Sequence, residues 1–326
     1  MTTTASMIFD NIWQGIYYDP IILPLAACLT ALHGVLAALF ASGPKGPWKD
    51  TAIFSAKQVI TLGMMVYQTY VGFLLWHGSK EYSWTENPPT NLVVDEMAKF
   101  QGGRFMSQLV VGSLLQDIPV GILSGSVDLM MHVHHIGMLL VSMIGLGYFS
   151  PILEHHNYAL VPIMARYAPF FFGVIELSSI PLSIVDMFHP HKQPEWHRYH
   201  LQHKWLCVLN EISRYSFAVL YILVRMIYFP YVITQQMIPD CWRKLNFGEE
   251  MTFEDGTTVQ KNNHEYKLPI EIVLTTAIFF TLLQLYWGTL VIKQVVKALS
   301  GGGEKEEDNP QKGDTKSKPK PKIKAV

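Results

Sequence analysis

Residues 128–149 read DLMMHVHHIGMLLVSMIGLGYF. Asp128, His132, His134 and His135 head an apolar run that reaches Phe149. As a helix the run is long enough to cross a bilayer, whose hydrocarbon core of about 30 Å takes about 20 apolar residues. A charged group at the centre of a membrane helix costs about 2.5–3.5 kcal/mol on insertion scales, so such residues line bundle interiors and point to function. On a helix Asp128, His132 and His135 share one stripe, because steps of four and three residues return to nearly the same face. His134 lies about 100° round from His135.

Five further stretches meet the same length criterion, at about 20–41, 52–76, 158–186, 205–233 and 270–292. A seventh, Met106 to Ser124, is shorter and carries Gln116, Asp117 and Pro119, so it reads as either a span or a re-entrant helix. The expected fold is therefore all-α: a polytopic integral membrane bundle of six to seven transmembrane helices. Composition agrees. Of 326 residues 49% are hydrophobic and 16% charged, against about 25% charged in soluble domains. The mean hydropathy is +0.19. A net charge of −1 with no basic stripe excludes a nucleic-acid partner. Cys28, Cys207 and Cys241 show no paired spacing, which argues against a disulfide framework or a thiolate metal site. Residues 1–19 lack Lys and Arg and do not read as a signal peptide.

Lys and Arg in short loops set orientation. GPKGPWKD at 43–50, HPHKQPEWHRYHLQHK at 189–204 and the C-terminal tail are the basic flanks, while acids match or outnumber bases in 77–105 and 234–269. This predicts a lumenal N-terminus and a cytosolic C-terminus. The chain divides into a lumenal segment (1–19), a first span with its loop (20–49), a membrane domain (50–299) and a basic tail (300–326). The Gly-, Pro- and charge-rich tail is expected to be disordered. It ends Lys322-Ile323-Lys324-Ala325-Val326, which looks like a dilysine retrieval signal. Such a signal is read by cytosolic coat proteins and implies an endoplasmic reticulum address.

The predicted pocket gathers polar groups at one depth. Glu176 lies about ten residues before the cytosolic end of its span, level with His135, and forms a stripe with Ser179 and Ser183. Pro181 kinks that helix. In the next span Asn210, Arg214, Phe217, Tyr221, Arg225 and Tyr228 fall on one side. Arg225 stands fifteen residues past Asn210, about 22 Å along the helix, and is expected near the lumenal face. His33, Asp117, His134, His135, Glu176, Asn210 and Arg214 are expected to converge. His134 and His135 are the candidate catalytic bases, with Glu176 setting the tautomer and basicity of its imidazole partner. Asp128, His132, Asn210, Arg214, Arg225 and Asp117 are the candidate lipid contacts. No metal ligand is assigned. His189, His191, His197, His200 and His203 crowd the same face, but the repeated His-x-x-His-His clusters of a di-iron oxygenase are missing.

The motifs Asp128-x-x-Met131-x-x-His134-His135, Ile175-Glu176-Leu177-Ser178-Ser179-Ile180-Pro181 and Arg225-x-x-x-Phe229-Pro230, in that order, resemble the TLC-domain family (TRAM, Lag1 and CLN8 proteins). The resemblance covers roughly residues 50–295. It is nearer to the branch of TLC-domain-containing proteins outside the ceramide synthases. Ceramide synthases carry a second motif, His-Asp followed three residues later by Asp, which is absent here, as is their homeobox-like insert. The resemblance implies a membrane bundle that binds a lipid in an intramembrane pocket and acts in lipid homeostasis, sphingolipid and ceramide included, or in membrane composition. The alternative it implies is a ceramide synthase-like N-acyltransferase using acyl-CoA and a sphingoid base, with His134 or His135 as base or transient acyl acceptor. A membrane metal-dependent lipid oxygenase, built on imidazole ligands, is the second alternative. No cofactor is expected beyond acyl-CoA as a substrate.

Overall fold

The computed structural model describes residues 4–77, 93–124, 129–148, 162–247, 249–252, 258–261 and 264–300. Asp128 and the lysine pair Lys322/Lys324 lie outside these residues. The elements are α1 (Thr4–Tyr18), α2 (Ile22–Ser42), α3 (Pro47–Asp50), α4 (Ala52–His77), α5 (Val93–Ser124), α6 (Leu129–Gly145) and α7 (Pro162–Phe172). A 3-10 turn (Val174–Ser178) leads to α8 (Ser179–Met187), α9 (Pro194–Gln202) and α10 (Lys204–Leu220). Then come a π-helical stretch (Tyr221–Tyr228), α11 (Phe229–Val232), a second π stretch (Ile233–Met237), α12 (Ile238–Phe247) and α13 (His264–Leu299). Among the described residues the only strands, β1 (Glu249–Thr252) and β2 (Thr258–Lys261), form a small antiparallel hairpin.

Among the described residues six helical segments are long and apolar enough to cross a membrane: Ile22–Ser42, Ala52–His77, Gly102–Ser124, Arg166–Met187, Lys204–Trp242 and Ile270–Lys297. α6 is a seventh, shorter apolar helix of 17 residues. The expected short span and the expected full one have thus exchanged places. α5 runs unbroken through Pro119 for 32 residues and is the most enclosed of these helices together with α7–α8. α6 stops at Gly145, where the chain turns back through Gly147 at φ 78°, a left-handed conformation that glycine adopts without strain.

Sidedness confirms the solvent. Leu32, Val35, Leu39, Val66, Leu223 and Leu282 face outward, while Lys57, Asp117, Glu176, Arg225 and Gln284 are buried. In water that arrangement would be inverted; in lipid, polar groups must be satisfied inside. The apolar core packs Met106, Val110, Tyr167, Phe170, Phe229, Val232 and Ile233 at its centre. α4 meets the α7–3-10 junction through Gly72 and Gly173. A Cβ on either would stand less than 3.0 Å from the other's Cα and from the Pro169 carbonyl. Close backbone approach through small residues is how membrane helices gain packing without a hydrophobic drive between them.

The expected span 205–233 continues instead to Trp242. Each π stretch ends two residues before a proline, Pro230 or Pro239. A proline lacks an N–H and crowds the carbonyl four residues back. Both stretches shift to i→i−5 bonding, with Phe229 N–H donating to the Val224 carbonyl and Ile238 N–H to that of Ile233. The helix thereby absorbs both prolines without breaking.

The two ends of the bundle differ. At the end where α1 lies, Asp19 accepts hydrogen bonds from the N–H groups of Ile21 and Ile22 and from Gln108. At the other end Trp196 of α9 donates to Thr51 and Ser55 and packs with Trp48. The basic 189–204 stretch folds as a cap on this end, with α9 at its centre. His200 is buried against Phe188, and that burial pushes its pKa below the usual imidazole value.

Candidate functional site

The adjacent histidines point into two different clusters, as their offset of about 100° on the helix requires. His135 Nδ1 stands 3.1 Å from Asp117 Oδ2, an ion-pair distance without aligned hydrogen-bond geometry. Lys57 Nζ lies 3.2 Å from Asp117 Oδ1. Lys57, Asp117 and His135 thus join α4, α5 and α6 one to two turns from the basic end.

His134 looks the other way, onto a cavity between α6, α7 with its 3-10 turn, α11 and α13. The cavity has a volume of about 60 Å³, so the space is a narrow slot. Its walls are mostly apolar, with Met138, Phe171, Phe229, Val273 and Phe280 prominent, and its polar groups are His134, Glu176, Arg225, Thr276 and Gln284. The His134 ring packs edge-on against Phe280 and Trp287. Its Nδ1 is buried and has no hydrogen-bond partner among the described residues.

Arg225 is the best-held polar side chain. Its Nε donates to Ser178 Oγ at 2.6 Å, Nη2 to Ser179 Oγ at 2.7 Å, and Nη1 to Gln284 Oε1 at 3.5 Å. Glu176 Oε1 stands 4.0 Å from Nη2. Tyr221 donates to Gln284 Oε1 at 2.7 Å, completing the net from the partner side. Arg225 and Glu176 are only 7% and 8% exposed. A charge so deep must be paired, because its desolvation is repaid only with a counter-ion and hydrogen bonds in place. Arg225 stands on a π stretch, an irregularity that is frequent at functional sites.

Of the expected convergent set, His134 and Glu176 share the cavity and Asp117 and His135 share the neighbouring ion pair. Arg214 does not join them: it pairs with Glu211 at 3.9 Å on the exposed face of α10. His33 also stands apart, its Nε2–H donating to the Ile53 carbonyl at 3.0 Å across α2 and α4. Asn210 is buried, but it is not among the residues that line the cavity. His132 is half-buried on α6. Arg225, expected near the lumenal face, lies mid-bundle, because its helix runs on to Trp242 and the residue therefore falls near the middle. Lys57, Ser178 and Gln284 were missed, although a lone Lys in an apolar span carries the same signal as His134. Among the described residues no three His, Cys, Asp or Glu side chains are grouped to hold a metal ion.

Compared with protein-family models, with curated proteins and with solved structures, the chain matches none of them. The reading of function therefore rests on the cavity itself.

Proposed function

We propose that this chain is an integral membrane protein of TLC type that binds a lipid in the His134–Glu176–Arg225 cavity and acts in lipid homeostasis. The carrying observation is a slot with apolar walls and a few convergent polar groups buried inside a bundle, the usual make-up of a small-molecule site. Met138, Phe171 and Phe280 suit a hydrocarbon chain; His134 and Glu176 suit its polar end. We place the basic end in the cytosol on the strength of the 43–50 and 189–204 loops, and the chain in the endoplasmic reticulum on its Lys322/Lys324 ending. The test is lipid mass spectrometry of the purified protein beside His134→Ala. A co-purifying lipid lost in the variant supports the reading, and the same lipids in both defeat it.

One observation favours acyl transfer as a second reading. The unpartnered His134 Nδ1 opens on an apolar cavity beside a carboxylate. A neutral imidazole there can take the proton of an attacking amine as it displaces the thiolate of an acyl-CoA. Incubation with a long-chain acyl-CoA and a sphingoid base decides it: N-acyl product that disappears in His134→Ala carries this reading, and its absence leaves binding alone.

A further inference from the structure

From the three-sided surface of α1, we propose that this helix lies in the plane of the membrane interface and that Phe9, Trp13 and Tyr17 enter the boundary between headgroups and acyl chains. Steps of four residues place these three side chains on a stripe about 80° wide. They are 68%, 61% and 57% exposed. On one side of the stripe come Ile12, Ile16 and Gly15, the side that the protein holds. Ile16 packs with Ile22, Val111, Met143, Leu146 and Tyr148. Tyr148 donates to the Gly15 carbonyl at 3.0 Å, and its ring leaves no room for a Cβ at Gly15. On the other side come Asp10 and Gln14, both exposed. The circumference is thus divided into a protein sector, an aromatic sector and a polar sector, with the exposed Tyr18 at the far edge of the polar one.

Three arguments name lipid as the occupant of the aromatic sector. The first is position. Only Asp19, Pro20 and Ile21 separate α1 from α2, a span of 21 residues. That length is about 31 Å, close to the hydrocarbon thickness, so α1 sits level with one boundary. At the far end of α2 stand Trp48, Trp196 and Tyr199, a second aromatic group at the opposite boundary. The second is chemistry: Trp and Tyr collect at membrane interfaces, where an apolar ring and a polar tip are both satisfied. The third is continuity, because α2, which follows α1 after three residues, turns Leu23, Leu32 and Val35 outward along its length. The Asp19 contacts to Gln108, Arg104 and Tyr148 fix the angle at which α1 leaves the span.

The test uses the full-length chain in lipid nanodiscs, with Cys28 and Cys207 changed to serine and the buried Cys241 left in place. A spin label is attached in turn at positions 9, 10, 13, 14 and 17. Dissolved oxygen, which concentrates in lipid, should relax the label several-fold more than a water-soluble nickel chelate does at 9, 13 and 17. The order should reverse at 10 and 14. Equal access of the chelate at all five positions would place α1 in water. Exclusion of both reagents at 9, 13 and 17 would mean that protein, such as a second copy, covers the stripe. Either result overturns the proposal, and all five sites are exposed, so labelling leaves the fold intact.

Discussion

At the scale of single residues, the two histidines separate by what each one holds. His135 partners Asp117, which also carries Lys57, so His135→Ala removes the half-buried side of a triad whose other two members are buried. Asp117 keeps Lys57 after the change, so the cost should stay below the roughly 3–5 kcal/mol of leaving a buried charge unpaired. The expected outcome is a melting temperature several degrees lower, measured in detergent. His134 has no such partner, and His134→Ala should keep the melting temperature while losing the co-purifying lipid. Arg225→Lys should lose that lipid as well. A single ammonium cannot reach Ser178, Ser179 and Gln284 as the planar guanidinium does. Glu176→Gln keeps the volume and hydrogen-bonding capacity of the side chain and removes its charge. It should impair function in a complementation assay more than it lowers the melting temperature. Full complementation would remove the 4.0 Å ion pair from the working site.

At the scale of elements, the glycine contact and the π stretches are the features that position the cavity. Gly72→Ala should force α4 away from the 3-10 turn carrying Glu176, because the neighbour in the way is backbone and cannot rotate aside. The expected result is loss of both thermal stability and bound lipid; a fully stable variant would show that the two backbones can separate without cost. Pro230→Ala tests the helix distortion. With an N–H restored, the stretch before it can return to i→i−4 bonding, which turns Arg225 away from Ser178 and Ser179. We expect the lipid to be lost while the melting temperature holds or rises, since an α-helical alanine is favoured over proline by about 3 kcal/mol.

At the scale of the whole molecule, the inside-out distribution of polarity ties stability to lipid. Orientation is the property that can be checked directly. A C-terminal tag should be digested in sealed microsomes if the basic end is cytosolic, and protection would reverse the proposed orientation together with the retrieval signal. Replacing Lys322 and Lys324 by serine should let a tagged chain pass beyond the endoplasmic reticulum.

The sequence by itself determined the all-α membrane class and the order of the apolar stretches. The bilayer imposes a length of about 20 apolar residues whatever the neighbours are. It also marked Asp117, His134, His135, Glu176 and Arg225 as residues too costly to face lipid. Only the tertiary structure decided which of them meet. Depth along a helix depends on where the helix ends, and α10–α12 ends beyond two prolines that π-helical bonding absorbs. That extension brings Arg225 to the cavity and leaves Arg214 on the outer surface. Likewise the partner of each histidine follows from which helix stands at each azimuth of α6. A periodicity states that two side chains diverge by about 100°. It does not state that one will find Asp117 and the other an open slot, because that depends on how α4, α5 and α13 pack around it.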